Sequence, residues 1–213
     1  RDYKVTGVQT CALPIYLHNT YNPTKYKVFK IFLIRFGCYF ATDVIAISDV
    51  VKKHNTDKFR LKESKIVVIE NAIDIKENYI LGNTRIRNST LKIGSVGRLV
   101  EQKGFDILIK AISVVVESYP NLLVEIVGEG PLRDELKKMV SDLGLDNNII
   151  LNGNIPFSEM AEKYEEWSFF VLSSNWEGFG LVILEAMAHK LPVIASDIDN
   201  IPFLVKSGEN GFL

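Results

Sequence analysis

The sequence predicts an α/β protein built on a doubly wound parallel sheet, and three observations carry that prediction. From about residue 92 onward, short runs rich in strand formers alternate with longer runs of helix formers, the rhythm that lays helices over a parallel sheet. The connections are short and several carry glycine, at Gly97, Gly128, Gly130 and Gly180. With 213 residues, 47% apolar and 24% charged, the chain can bury a full core and is long enough for one large domain or one and a half smaller ones. No repeat at a solenoid period competes with this reading.

Composition excludes some classes of function. A net charge of −1, with both signs interspersed, gives no support to nucleic-acid binding as the main role. Cys11 and Cys38 form no metal or disulfide pattern and fit a reducing cytoplasm. The most apolar stretch, 28–51, is broken by Lys30, Arg35 and Asp43 and falls short of a membrane helix, while contact with a membrane surface stays open.

Residues 1–16 show no helical or strand period and no secretion signal. Residues 5–15 resemble translated adapter sequence, so this end is expected to be foreign to a protein that begins further upstream; a disordered or strand-like native terminus is the alternative. Residues 25–40 have helical spacing, 43–47 read as a short buried strand, and Ser48 is placed to cap a helix through His54. A strand is expected from Lys65, and the polar stretch 77–90 reads as a linker. In the remainder, strands are expected at about 92–97, 122–127, 148–152, 168–173 and 192–196, with helices at about 104–118, 131–143, 157–166, 181–189 and 201–206. Pro131 suits the first residue of a helix and Gly144 the residue after its end. Residues 210–213 start a further strand.

The stretch with most chemical content is Asn175-Trp176-Glu177-Gly178-Phe179-Gly180-Leu181-Val182-Ile183-Leu184-Glu185, in which two glutamates flank a glycine-bracketed turn between a strand and a helix. Glycine permits positive φ and close approach of a ligand, and the first amides of the helix, backed by its dipole, offer a site for a phosphate. Carboxylates repel a phosphate, so Glu177 and Glu185 are expected to accept hydrogen bonds from uncharged groups, naturally sugar hydroxyls. A structural ion pair is the alternative for Glu185, which lies in an otherwise apolar helix, and a solvated carboxylate is the alternative for Glu177. Arg98 and Lys103 lie five apart around another strand-to-helix turn and can reach the same space. The turns at 94–97 and 128–130 lack the full spacing of a dinucleotide fingerprint, which argues against an oxidoreductase.

Glu177 to Glu185 resembles the E-x7-E motif of retaining nucleotide-sugar glycosyltransferases with two Rossmann-like lobes, the GT-B fold, of the glycosyltransferase family 4 or group 1 type. Residues 97–104 are similar to that family's GRLxxxKG segment, residues 43–48 to its "adxiiavS" segment, and residues 71–74 to its NGVD turn, with Ala72 in place of the glycine. The resemblance runs from about Leu17 to Leu213. It implies a donor lobe over 86–213, short of its closing helices, preceded over 17–85 by the last part of an acceptor lobe and the linker. It further implies a nucleoside-diphosphate sugar as donor and a glycan or lipid-linked acceptor, as in cell-surface polysaccharide or glycolipid synthesis. Arg98, Lys103, Gly180 and Leu181 would bind the diphosphate. Glu177 and Phe179 would face the hexose and Glu185 the ribose, with Gly97, Gly128 and Gly130 in the nucleotide loops and Glu177 and His18 in catalytic positions. For His18 a structural or solvated role is equally open. With two fixed cations no cofactor or metal is expected, and the location implied is cytoplasmic or peripheral at the inner membrane face. A sugar-nucleotide epimerase of the same fold and an inactive remnant are the competing readings, and the chain as it stands is expected not to transfer sugar at an enzymatic rate. Two departures matter: Lys190 stands where the family has glycine, putting a left-handed helix end in doubt, and Phe203 stands where a glutamate is frequent.

Overall fold

The computed structural model describes residues 15–17, 36–41, 43–74 and 91–213. The chain divides into two compact units, 1–71 and 72–213. His18, most of the helical stretch expected over 25–40 and the linker 77–90 lie outside the described residues.

In the first unit, β1 (Ile15–Leu17), β2 (Val44–Ala46) and β3 (Ile66–Val68) form a parallel sheet in the order β1-β2-β3. The strand β1 takes in Ile15 and Tyr16, so the last two residues of the segment set apart at the N-terminus are paired in a sheet. Ser48 caps α1 (Asp49–Phe59) by accepting a hydrogen bond from the Val51 amide, as its position before an apolar run predicts, and the helix runs five residues past His54. Residues 36–40 are helical, and the Lys65 ammonium ties their end to β3 by donating to the carbonyls of Tyr39 and Ala41.

The second unit is built on β4 (Lys92–Val96), β5 (Leu123–Val127), β6 (Ile149–Gly153), β7 (Phe169–Leu172), β8 (Val193–Ala195) and β9 (Gly211–Phe212), with α2 (Phe105–Val115), α3 (Arg133–Asp142), α4 (Phe157–Glu166), α5 (Leu181–Ala188) and α6 (Ile201–Leu204) between them. All neighbouring strands are parallel, in the order β6-β5-β4-β7-β8-β9. The alternation of β5 shows how both faces are covered. Val124 and Ile126 pack with α2 and α3, whereas Val127 joins the core under α4, α5 and α6. Glu125, on that second face, is 5% exposed and is compensated there by the Trp167 indole N–H at 3.1 Å and the Lys163 ammonium at 3.2 Å.

In the second unit α2 stops three residues short of 118 and α6 two short of 206, and two boundaries differ from expectation for a visible reason. Pro131 lies in the turn ahead of α3, which begins at Arg133, because Leu132 first donates to the Leu99 carbonyl across the neighbouring loop. Lys190 takes a left-handed conformation, φ 58°, as a glycine would: the Lys190 and Leu191 amides turn back to the carbonyls of Met187 and Ala186 and close α5. Phe203 is exposed.

Candidate functional site

The sheet of the second unit changes direction of growth between β4 and β7, with β5 and β6 on one side and β8 and β9 on the other. Loops leaving the C-terminal ends of such neighbours diverge, and the crevice between them is where open α/β sheets bind ligands. The two loops here, 97–104 after β4 and 173–180 after β7, carry Gly97, Arg98, Lys103, Glu177, Phe179 and Gly180 of the residues singled out from the sequence. They are tied together at their bases. The Asn175 amide donates to the Gln102 carbonyl at 2.8 Å, the Gln102 side chain to the Trp176 carbonyl at 3.1 Å, and the Ser173 hydroxyl to the Lys103 carbonyl at 3.1 Å.

The loop after β5 joins them from the other side. Gly97 and Leu99 donate their amides to the carbonyls of Val127 and Glu129, both at 2.9 Å. Here the main chains touch: a Cβ on Gly128, whose φ is 141°, would lie 1.9 Å from the Gly97 carbonyl oxygen, and one on Gly130 would lie 2.3 Å from that of Leu99. Gly128 and Gly130 are therefore required by packing of loop on loop. Gly97 has a further use, since the stem of Lys103 runs 3.2–3.3 Å from where its Cβ would be. Leu99 is fully buried, which leaves Arg98, between two pinned residues, directed outward and exposed.

Glu177 is not the solvated loop carboxylate that its polar neighbourhood allows. It is 8% exposed and forms an ion pair with the Lys103 ammonium. The Gly178 amide donates to its Oε1 at 3.2 Å, and its own amide donates to Asp199 Oδ2 at 2.7 Å. Asp199 follows β8 and has φ 46°, a strained backbone for a residue with a side chain. Gly180, φ 89°, precedes α5 without any side-chain cap, so the amides from Leu181 onward and the positive end of the dipole meet the same end of the sheet. Phe179 is buried. Glu185, in the second turn of α5, is half-buried and accepts a hydrogen bond from the Tyr164 hydroxyl at 2.9 Å. The partner that α4 supplies to this glutamate is therefore a phenol.

The structure thus brings Gly97, Lys103 and Glu177 together, sets Gly128 and Gly130 against them, and places Gly180, Leu181 and exposed Arg98 around the same crevice mouth. His18 lies outside the described residues. Sequence reasoning passed over Tyr164 and Asp199. A tyrosine at a helical position facing the core carries no signal until its neighbour is known. Asp199 did carry one, since Asp197-Ile198-Asp199 has the Asp-x-Asp spacing of metal-dependent sugar transferases, which the expectation of a metal-free site overlooked. Here Asp199 serves the Glu177 amide, and no group of three or more His, Cys, Asp or Glu able to hold a metal occurs among the described residues. No helix among them is long and apolar enough to cross a membrane.

This architecture is similar to solved structures. Anabaena Alr3699/HepE in complex with UDP and glucose superposes with a TM-score of 0.81 at 26% identity, over 95% of this chain and 57% of that one. Staphylococcus aureus TarM, as a mutant in complex with fondaparinux, alpha-GlcNAc-glycerol and UDP, does so with a TM-score of 0.76 at 26% identity, over 92% of this chain and 38% of the other. The fold is that of the GT-B glycosyltransferases. Among relatives by sequence, the poly(ribitol-phosphate) alpha-N-acetylglucosaminyltransferase of S. aureus is 33% identical over 72% of this chain, and the S. aureus capsular polysaccharide biosynthesis glycosyltransferase CapM is 30% identical over 88%. The chain spans 32% and 52% of the length of these two relatives. The family model for glycosyl transferases group 1 matches residues 80–213, and the chain belongs to that family.

Proposed function

We propose that the second unit binds the donor of a retaining glycosyltransferase, which transfers a hexose from a nucleoside-diphosphate sugar to a glycan or lipid-linked acceptor in cell-surface polysaccharide or glycolipid synthesis. The observation that carries the proposal is the convergence of Lys103, Glu177 and the uncapped start of α5 at the sheet's switch point. Arg98, Lys103 and the Leu181 amide take the diphosphate, Glu177 and Phe179 face the hexose, and Glu185 accepts from the ribose hydroxyls. Gly97, Gly128 and Gly130 stand in the loops assigned to the nucleotide and let those loops pack closely on one another.

The reaction explains why cations are needed there. As the bond from the anomeric carbon to phosphate oxygen breaks, negative charge builds on the leaving diphosphate, and cations and amides fixed in advance stabilise that charge more than freely reorienting water does. The acceptor oxygen bonds to the anomeric carbon on the face from which the diphosphate leaves, its proton passing to the departing phosphate oxygen, and His18 is assigned to the acceptor side of the reaction. The acceptor belongs to this proposal, supported by the relatives whose names describe poly(ribitol-phosphate) and capsular polysaccharide; contact with the inner face of a membrane is proposed from the lipid-linked acceptor alone.

The test is incubation of the chain with labelled UDP-sugars and GDP-sugars, alone and with lipid and oligosaccharide acceptors, alongside calorimetry with UDP and GDP. Nucleotide binding is expected in calorimetry. Isomerised sugar nucleotide without acceptor would replace the reading by that of an epimerase, and absence of binding by any nucleotide would remove it.

A further inference from the structure

We infer that Tyr164 is a positioning residue for donor binding: its phenol holds the Glu185 carboxylate in the orientation in which it receives the ribose hydroxyls. The inference rests on the donor-site reading above and adds to it a residue on a different helix, 21 positions earlier in the chain.

The phenol is immobilised on several sides. Tyr164 is 2% exposed. Its ring meets that of Trp167 edge-on at 5.1 Å, is stacked on the His189 imidazole at 5.0 Å with 14° between planes, and lies tilted against Phe170 at 6.2 Å. Trp167 is itself locked. Its N–H donates to Glu125 inside the sheet face, and its ring occupies the space over Gly94, where a Cβ would come within 1.9 Å of it. A line of rigid contacts therefore runs from the middle of the sheet, through Trp167 and Tyr164, to one oxygen of Glu185.

Packing alone does not explain this pair. Met160, Ile183, Ala186 and Met187 surround the pair in the same core. A phenylalanine and a leucine would fill it without bringing a hydroxyl and a carboxylate out of water, which carries a cost that their mutual hydrogen bond only offsets. A phenol has one proton to give, and donating it to Glu185 narrows the rotamers in which that carboxylate keeps the bond. Pre-set orientation of an acceptor is worth most where a ligand's hydroxyls must meet it, because the ordering is completed before binding.

The experiment uses the whole chain and Tyr164→Phe, Glu185→Gln and the double variant, each checked for folding by thermal melting. Calorimetry is run with UDP, GDP and ADP, with the 2′,3′-dideoxy form of whichever binds, and with inorganic diphosphate. Tyr164→Phe is expected to weaken the nucleotide about three- to tenfold, the range one net hydrogen bond spans, while leaving inorganic diphosphate and the dideoxy nucleotide unchanged. The double variant should be no weaker than Glu185→Gln. Equal weakening of all ligands, or unchanged nucleotide affinity in Tyr164→Phe, would overturn the inference and make Tyr164 a packing residue. If the parent chain binds inorganic diphosphate but discriminates no ribose from dideoxyribose, Glu185 does not face the ribose and the inference fails while the diphosphate site stands. If the parent binds none of these ligands, the donor-site reading itself fails and takes the inference with it.

Discussion

Lys103 and Glu177 neutralise each other in the unliganded protein, yet the proposed roles send the ammonium to a diphosphate and the carboxylate to a hexose. An entering diphosphate must then compete with Glu177 for the same cation. Glu177→Gln removes the competing charge, so inorganic diphosphate is expected to bind about 0.5–1.5 kcal/mol more tightly, the net worth of one hydrogen bond. Lys103→Ala acts in the opposite sense. It removes a ligand-binding cation and leaves a carboxylate of 8% exposure without its counter-ion, held by the Gly178 amide and the Ser174 hydroxyl, at a cost of about 1–3 kcal/mol in stability for a buried charged group that loses a partner. Calorimetry with diphosphate and denaturant unfolding measure both, and weaker binding by Glu177→Gln would show that this carboxylate helps to hold the ligand through its neighbours.

At the scale of elements, the fit of strand against helix is decided at Gly94 and Gly128. On β4, Gly94 is the gap that admits the Trp167 indole. Gly94→Ala would put a methyl 1.9 Å from a ring that is 1% exposed and tied to Glu125. Because neither strand nor indole can yield, a loss at the upper end of the usual overpacking range of about 1–3 kcal/mol is expected, read as a lower denaturant midpoint at constant slope. Gly128→Ala acts on a loop in place of the core. Positive φ and a main-chain oxygen at 1.9 Å from the added carbon both oppose it, and its effect should extend to ligand binding, because the displaced Gly97 carries the loop of Arg98 and Lys103. Nucleotide affinity unchanged in a folded Gly128→Ala variant would separate that loop from the site.

Two properties belong to the molecule as a whole. Burial lowers the pKa of His189 below the usual imidazole value, since the charged form is the one penalised. A depressed folded pKa means that the unfolded chain binds the proton more readily, so this stabilisation is fully present above about pH 6.5, the ordinary histidine value, and is lost as pH falls through the folded value. The melting temperature is expected to decline from pH 7 to pH 5, and His189→Phe, which keeps a ring against Tyr164, should flatten that decline; an unchanged slope would place its source elsewhere. The second property is the origin of the positive charge at the crevice. With Arg98 and Lys103 in place, affinity for sugar nucleotide is expected to be the same in excess chelator as in buffer, and a large loss in chelator would direct attention to Asp197 and Asp199.

Much of this was legible in the order of residues alone, for a local physical reason. Strand and helix periods, the Ser48 cap, the stop at Gly144 and the glycine turns depend on neighbours within a few positions, and the structure places each element where those rules put it, with ends that shift by up to three residues and, for the helix after Ser48, by five. The doubly wound sheet followed from the same alternation. What no local rule could supply were the pairings across the sheet. Lys103 and Glu177 are 74 positions apart and meet because β4 and β7 became neighbours; the Glu125 carboxylate is tolerated because Trp167 and Lys163 arrive from α4 and the residue just after it; and Lys190 bends as glycine would because the end of α5 is closed by backbone bonds. The sequence by itself determined which residues could carry charge, turn or pack. Only the tertiary structure decided which of them met, because burial and opposition of charge are properties of the space between elements and not of any one of them.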